Sequence, residues 1–127
     1  MRPMPNFLLV MIGGAIGAGL RHGVGLAAPR LGEEFPWGTF IVNLTGGLFA
    51  GLLLGFLLSR GAEGEPWRLF LGVGLLGGFT TFSAFGVETI YLFRRGEQAV
   101  ALGYVASSVA GGILGVWLGM SLVRARS

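Results

Sequence analysis

The chain has 127 residues, of which 53% are hydrophobic and only 12% charged, and its mean hydropathy is +0.75. A soluble domain carries roughly a quarter charged residues, so the composition excludes an ordinary water-soluble fold, and the absence of cysteine excludes a disulfide framework, a thiolate metal site and a cysteine nucleophile. The net charge of +3 comes from arginines dispersed singly or in pairs between apolar runs; with no basic stripe, nucleic acid is not a partner.

Length predicts one domain, residues 1–127. Four apolar segments are expected to be transmembrane helices, at about 6–28, 38–58, 67–93 and 98–122. Each is long enough to cross a ~30 Å hydrocarbon core at 1.5 Å per residue. The first follows Arg2 and could be taken for a signal peptide. It is long, however, and three more spans follow, so it is read as retained. It carries Gly13 and Gly17 on one face and Arg21 and His22 towards its end. A linker with Pro29, Arg30, Glu33, Glu34 and Pro36 leads to the second span. That span is uncharged, holds Gly47, Gly51 and Gly55 at four-residue spacing, and has Asn43 as the one strongly polar side chain in its middle. Residues 59–66 form a polar, turn-rich linker. After the third span, Arg94-Arg95-Gly96-Glu97 turns the chain into the fourth. The fourth span is again uncharged and repeats the spacing with Gly111, Gly115 and Gly119. Glycines four apart strip a helix face of side chains and let backbones approach closely. Trp37, Trp67, Tyr91 and Trp117 fall near span ends, where aromatic belts sit.

The third span carries the most informative stretch, Gly77-Gly78-Phe79-Thr80-Thr81-Phe82-Ser83-Ala84-Phe85. Adjacent glycines weaken a helix by about 1 kcal/mol each. Irregular backbone at membrane depth persists only where it is packed in protein or lines a wet cavity. A break here would expose carbonyls and hydroxyls, which are ligands for an ion.

Polar groups inside the membrane are candidate functional residues, and each also has a bland reading. Asn43 is either an interhelical hydrogen-bonding residue or an ion-facing donor. Thr80, Thr81 and Ser83 either bond back to their own helix or line a path. Tyr104 and Ser108, four apart, share a face that continues into Gly111 and Gly115, a polar-then-small stripe placed beside the broken span. Phe82 and Phe85 are three apart; they pack against lipid or core, or turn their electropositive ring edges to an anion. Arg21 is read as a structural cap or interfacial anchor, with concentration of anions at a vestibule as the alternative. Glu88, the one acid inside a span, could pair with an arginine, cap a hydroxyl network or exchange protons, with Thr39 as a candidate network partner, and His22 is read as structural. No His or carboxylate cluster has metal-site spacing, and no nucleophile–base pair is present, so no enzyme is predicted. Gly72-Val-Gly-Leu-Leu-Gly77 matches a dinucleotide fingerprint only by spacing, because no strand precedes it.

Orientation is nearly balanced. Arg2, Arg60, Arg68, Arg124 and Arg126 fall on one side of a four-span chain, against Arg30, Arg94, Arg95 and the helix-end Arg21 on the other. The positive-inside rule then selects no direction. The expectation is a dual-topology protein that dimerises antiparallel.

These residues resemble the Fluc (CrcB) fluoride channel family over essentially the whole chain. The resemblance is carried by Gly13-Gly14-Ala15-Ile16-Gly17-Ala18 with Arg21, by Gly38-Thr39 through Asn43 and Gly46, by the stretch from Gly77 to Phe85 with Glu88, and more loosely by Tyr104 and Ser108. Ala84 stands where many members have serine or threonine. The resemblance implies an all-α integral protein of the cell membrane that exports fluoride passively. It implies an antiparallel homodimer with two pores, a fluoride pathway of Asn43, Phe82, Phe85, Thr81, Ser83, Tyr104 and Ser108, and a vestibule near Arg21. It also implies a central structural sodium ion held by backbone carbonyls of Gly77 and Thr80. Two rival readings are a drug/proton antiporter, which would have to use Glu88 because the first span has no acid, and a non-transporting membrane scaffold.

Overall fold

The computed structural model describes residues 3–28, 35–61 and 66–124. Arg2, Arg30 and Arg126 of the charge count, and the linker residues Pro29, Glu33 and Glu34, lie outside them. Helix α1 (Pro3–Ala27) is followed by α2 (Trp37–Ser59). The next span begins as a π-helical stretch (Arg68–Leu76) and runs on as α3 (Gly77–Phe79). After three non-helical residues come α4 (Ser83–Arg94) and α5 (Gln98–Arg124). Four stretches, Pro5–Ala27, Trp37–Ser59, Arg68–Arg94 and Gln98–Arg124, are long and apolar enough to cross a membrane.

Side chains that a soluble protein would bury stand outside. Phe7, Met11, Ile113 and Trp117 are 64–66% exposed. Apolar surface on this scale needs a hydrocarbon solvent, because water would drive it to aggregate. The buried core is small: Val42 and Leu57 of α2, and one cluster of Leu92, Ala101 and Tyr104 with Phe35, Phe40, Phe85 and Val100 against it. What holds the spans together is backbone proximity. Along α2 and α5, Gly47 faces Gly112, Gly51 faces Val116 and Gly55 faces Met120, so these helices run parallel. A methyl group on Gly119 would fall 2.6 Å from the Leu52 nitrogen, closer than atoms can approach. Close apposition multiplies dispersion contacts, which replace the hydrophobic effect as the glue within lipid. The Gly111–Gly115 face of α5 therefore packs on Leu44 and Leu48 of α2. It does not lie beside the third span, as the stripe's polar end had suggested, because Gly47 and Gly51 give α2 the matching smooth face.

Helix α1 packs in the same way against the third span. Gly13 lies against Gly74 and Leu75, and a methyl on Gly78 would sit 2.5 Å from the Gly14 carbonyl oxygen. The π-helical stretch ends with the Gly77 N–H donating to the Gly72 carbonyl, five residues back, a wider turn than the four-residue α spacing. The chain leaves helical geometry at Thr80, whose backbone is extended with ψ 159°. Between α4 and α5 a tight reversal at Gly96 (φ 82°) lets the Gly96 and Glu97 amides donate to the carbonyls of Phe93 and Leu92, each at 3.0 Å, closing the helix end as a left-handed cap does.

Candidate functional site

The non-helical residues of the third span and the helical turn just before them are held by side chains from two other helices. Asn43, in the middle of α2, pairs its amide with the peptide of Thr81: Nδ2 donates to the Thr81 carbonyl at 2.9 Å, and Oδ1 accepts from the Thr81 N–H at 2.9 Å. This satisfies both polar groups of an irregular peptide at membrane depth, where neither could be left unmade. From α1, Arg21 Nε donates to the Gly78 carbonyl at 3.2 Å, capping the end of α3. A cation at a helix C-terminus also meets the negative end of its dipole. The Thr80 N–H and hydroxyl both donate to the Leu76 carbonyl, each at 2.9 Å. The Thr81 hydroxyl accepts from the Ala84 N–H at 3.2 Å and starts α4. The bland readings of Asn43, Thr80 and Arg21 thus describe bonds that are present, and each leaves other capacity open. Asn43 retains one N–H of its amide, because that group carries two.

A groove of about 540 Å³ runs along this segment, with Asn43, Thr80, Thr81, Phe82, Phe85 and Ser108 among its lining residues. Gly77 also lines it. Phe82 stands 85% exposed at the groove. Its ring centroid lies 6.1 Å from that of Phe85, and Phe85 in turn lies 5.0 Å from Tyr104. Ser108 is buried, and among the described residues its hydroxyl has no hydrogen-bond partner. A buried hydroxyl left unpaired costs about 1–3 kcal/mol, which makes this one the exception among the groove's hydroxyls.

Tyr104 is fully buried. Its hydroxyl donates to Glu88 at 3.3 Å. Tyr104 and Glu88 thus form a pair behind Phe85, connected to the groove through the Phe85 ring, with Thr39 close by. Ser83 is exposed in the first turn of α4 and is not among the groove's lining residues. Arg21 lies on the α1 side of the third span, bound to Gly78 and outside the groove. Sequence reasoning did not single out the apolar wall supplied by Val109, Ile113 and Val116 of α5. Nothing in the sequence separates these residues from the lipid-facing ones around them.

The groove can therefore offer an anion one amide N–H, free hydroxyl capacity and phenyl ring edges, with no fixed charge among its lining residues. Among the described residues no His, Asp or Glu cluster could hold a metal ion through side chains.

Residues 8–120 match the model of the family described as CrcB-like protein, Camphor Resistance (CrcB). The chain is 51% identical over 121 residues to a protein of Methylobacterium nodulans named fluoride-specific ion channel FluC, covering 95% of this chain and 98% of the relative. Proteins with the same name from Sphingopyxis alaskensis and Chloroflexus aurantiacus are 52% and 51% identical over 122 residues, covering 95% of this chain and 97% of each relative.

Proposed function

This chain belongs to the CrcB-like family, and from that membership we propose that it is a fluoride-selective channel that lets cytoplasmic fluoride leave the cell down its electrochemical gradient. It is a multi-pass membrane protein, and the membrane meant is the cell membrane. As a channel it makes and breaks no covalent bond. The reading rests above all on the groove's donor set: the remaining Asn43 N–H, the unpartnered Ser108 hydroxyl and the Phe82 and Phe85 ring edges converge with no fixed charge. Fluoride is small and strongly hydrated, so a dry path has to replace its water with donors. It also has to hold the ion weakly enough for release. A lysine or arginine in the wall would trap the ion, whereas neutral dipoles and ring edges let it pass. Thr81 extends the polar path along the groove, Tyr104 backs it through Phe85, and Ser83 and Arg21, which lie outside this subunit's groove, are proposed to meet the ion beyond it, Arg21 by raising anion concentration at a vestibule.

One subunit supplies an open groove with a bare phenylalanine beside it, so the pore is completed by a second copy. The partner is an identical chain running antiparallel, which a near-balanced arginine distribution permits. A two-fold axis makes the interface isologous, and two pores follow from two equivalent grooves. The carbonyls of Gly77 and Thr80 fit a hard cation on that axis. The Thr81 and Ala84 amides, their ordinary helical partners, are bonded elsewhere, which leaves both oxygens without a donor. Two from each subunit make four oxygen ligands, suited to a structural sodium ion, which supplies the positive charge that lets four carbonyl oxygens face one another. Glu88 is bonded to Tyr104, so the proton-coupled antiporter that would need a free carboxylate is not favoured.

The test is fluoride efflux from liposomes holding the purified protein, read with a fluoride electrode, with chloride-loaded liposomes alongside. Fast fluoride efflux with negligible chloride efflux is the expected result. No fluoride efflux from a folded dimer would overturn it.

A further inference from the structure

We propose that Asn43 and Thr81 are positioning residues that create the cation site by intercepting the two amide N–H groups that would otherwise occupy its ligands. The inference rests on the sodium reading given above and deepens it: it says what keeps the Gly77 and Thr80 carbonyls available.

In a continuous helix each N–H donates to the carbonyl four residues back. The Thr81 N–H would then take the Gly77 oxygen, and the Ala84 N–H would take the Thr80 oxygen. Both donors are diverted. The Asn43 Oδ1 receives the Thr81 N–H at 2.9 Å, and the Thr81 Oγ1 receives the Ala84 N–H at 3.2 Å. The neighbouring carbonyls are treated in the opposite way. Leu76 accepts twice from Thr80, Gly78 accepts from Arg21, and Thr81 accepts from Asn43. Among the described residues, no hydrogen bond ends on the carbonyl of Gly77 or Thr80. Bare carbonyls at membrane depth are costly, and carbonyls left without a donor are what a cation site requires. Asn43 therefore has two tasks within one amide. Its oxygen and one N–H fix the Thr81 backbone, and its second N–H is left for the groove that Asn43 lines. The anion path and the cation site share this side chain, so a change there is felt at both.

The experiment is thermal unfolding of the purified full-length dimer, followed by tryptophan fluorescence, as sodium chloride replaces N-methyl-D-glucamine chloride at constant ionic strength. The reading is the sodium concentration at which half of the stabilisation is reached. Thr81→Val removes the acceptor for the Ala84 N–H, which then falls back on the Thr80 carbonyl and competes with the ion. Asn43→Leu does the same for the Thr81 N–H and the Gly77 carbonyl. Each is expected to raise the half-stabilising concentration by about fivefold, as displacement of one ordinary hydrogen bond requires. Thr81→Ser keeps the hydroxyl and is expected to keep the wild-type midpoint. Midpoints unchanged in both Thr81→Val and Asn43→Leu, with melting temperatures merely lower at every sodium concentration, would overturn the inference and leave both side chains purely structural. The two substitutions act on different carbonyls, so a failure of one variant to fold leaves the other to decide. A wild-type protein indifferent to sodium would instead remove the sodium reading itself, an outcome visible without any variant.

Discussion

Phe82 and Phe85 are neighbours in one motif but stand in different surroundings, and the difference separates function from stability. Phe82 is 85% exposed, and among the described residues its one ring contact is Phe85 at 6.1 Å. Phe85 packs its ring, tilted by 52°, at 5.0 Å from that of Tyr104, which is wholly buried. Replacing Phe82 by isoleucine is expected to slow fluoride efflux by about tenfold, equivalent to about 1.4 kcal/mol in the barrier, with unchanged thermal stability. Phe85→Ile is expected to slow efflux similarly and also to lose about 1 kcal/mol of stability, the worth of a buried aromatic pair. Wild-type efflux from both variants would take the rings out of the mechanism. Ser108 gives a prediction of opposite sign. Its hydroxyl is buried without a partner, so Ser108→Ala relieves an unmade hydrogen bond. Stability should hold or rise while fluoride efflux falls; a loss of stability would mean that the hydroxyl is satisfied within the folded protein. The sequence shows that two phenylalanines lie three apart and that Ser108 follows Tyr104 by one turn. It does not show which ring is bare or which hydroxyl is unpaired, because both depend on what α2 and α5 bring to the groove from elsewhere in the chain.

At the scale of elements, the four spans and their glycine faces were legible, since long uncharged apolar runs and four-residue spacing leave few alternatives. The partners of those faces were not. A smooth face says that something packs closely, not what, and the α5 stripe pairs with α2 because their glycines interlock. Gly119→Ala is expected to cost about 1–3 kcal/mol through overpacking, because its methyl would meet the backbone of Leu52 and Gly51 at 2.6 and 2.9 Å. Gly103 on the same helix has open space where a side chain would go, so Gly103→Ala should be neutral or slightly stabilising. Comparing their melting temperatures in detergent checks both; equal effects would mean that close approach is not what holds α2 to α5. The third span teaches a similar lesson. Adjacent glycines mark where helix is weak, yet Gly77 and Gly78 are themselves helical, and the chain leaves helical geometry at Thr80. Gly78 is needed for its contact with Gly14. The departure from helix is imposed three residues later by Asn43 and Thr81, whose side chains compete for the amides. Competition from a residue 38 positions away leaves no local signal in the sequence.

For the whole molecule, the open groove and the charge distribution make a joint demand. The groove has a bare phenylalanine at its side, and in the antiparallel dimer proposed above it is covered by a copy that runs the other way through the membrane. Both orientations must then occur in one membrane, and the arginines allow it: Arg2, Arg60, Arg68, Arg124 and Arg126 stand against Arg21, Arg30, Arg94 and Arg95, a difference of one. A bias this small is easily overridden, because added arginines near span ends can set the direction of the whole chain. Reporter tags on each terminus are expected to show both orientations, and a single orientation throughout the population would remove the antiparallel dimer. A stronger test uses the bias itself. A variant with three arginines added after Ser127 should insert one way and lose fluoride efflux, because antiparallel partners no longer form. A variant with three arginines added in the Arg94–Glu97 turn should insert the other way and fail alike. Produced together in one membrane, the two should restore efflux. Efflux from either variant alone, with its orientation verified, would mean that the groove is completed in some way other than by an inverted copy.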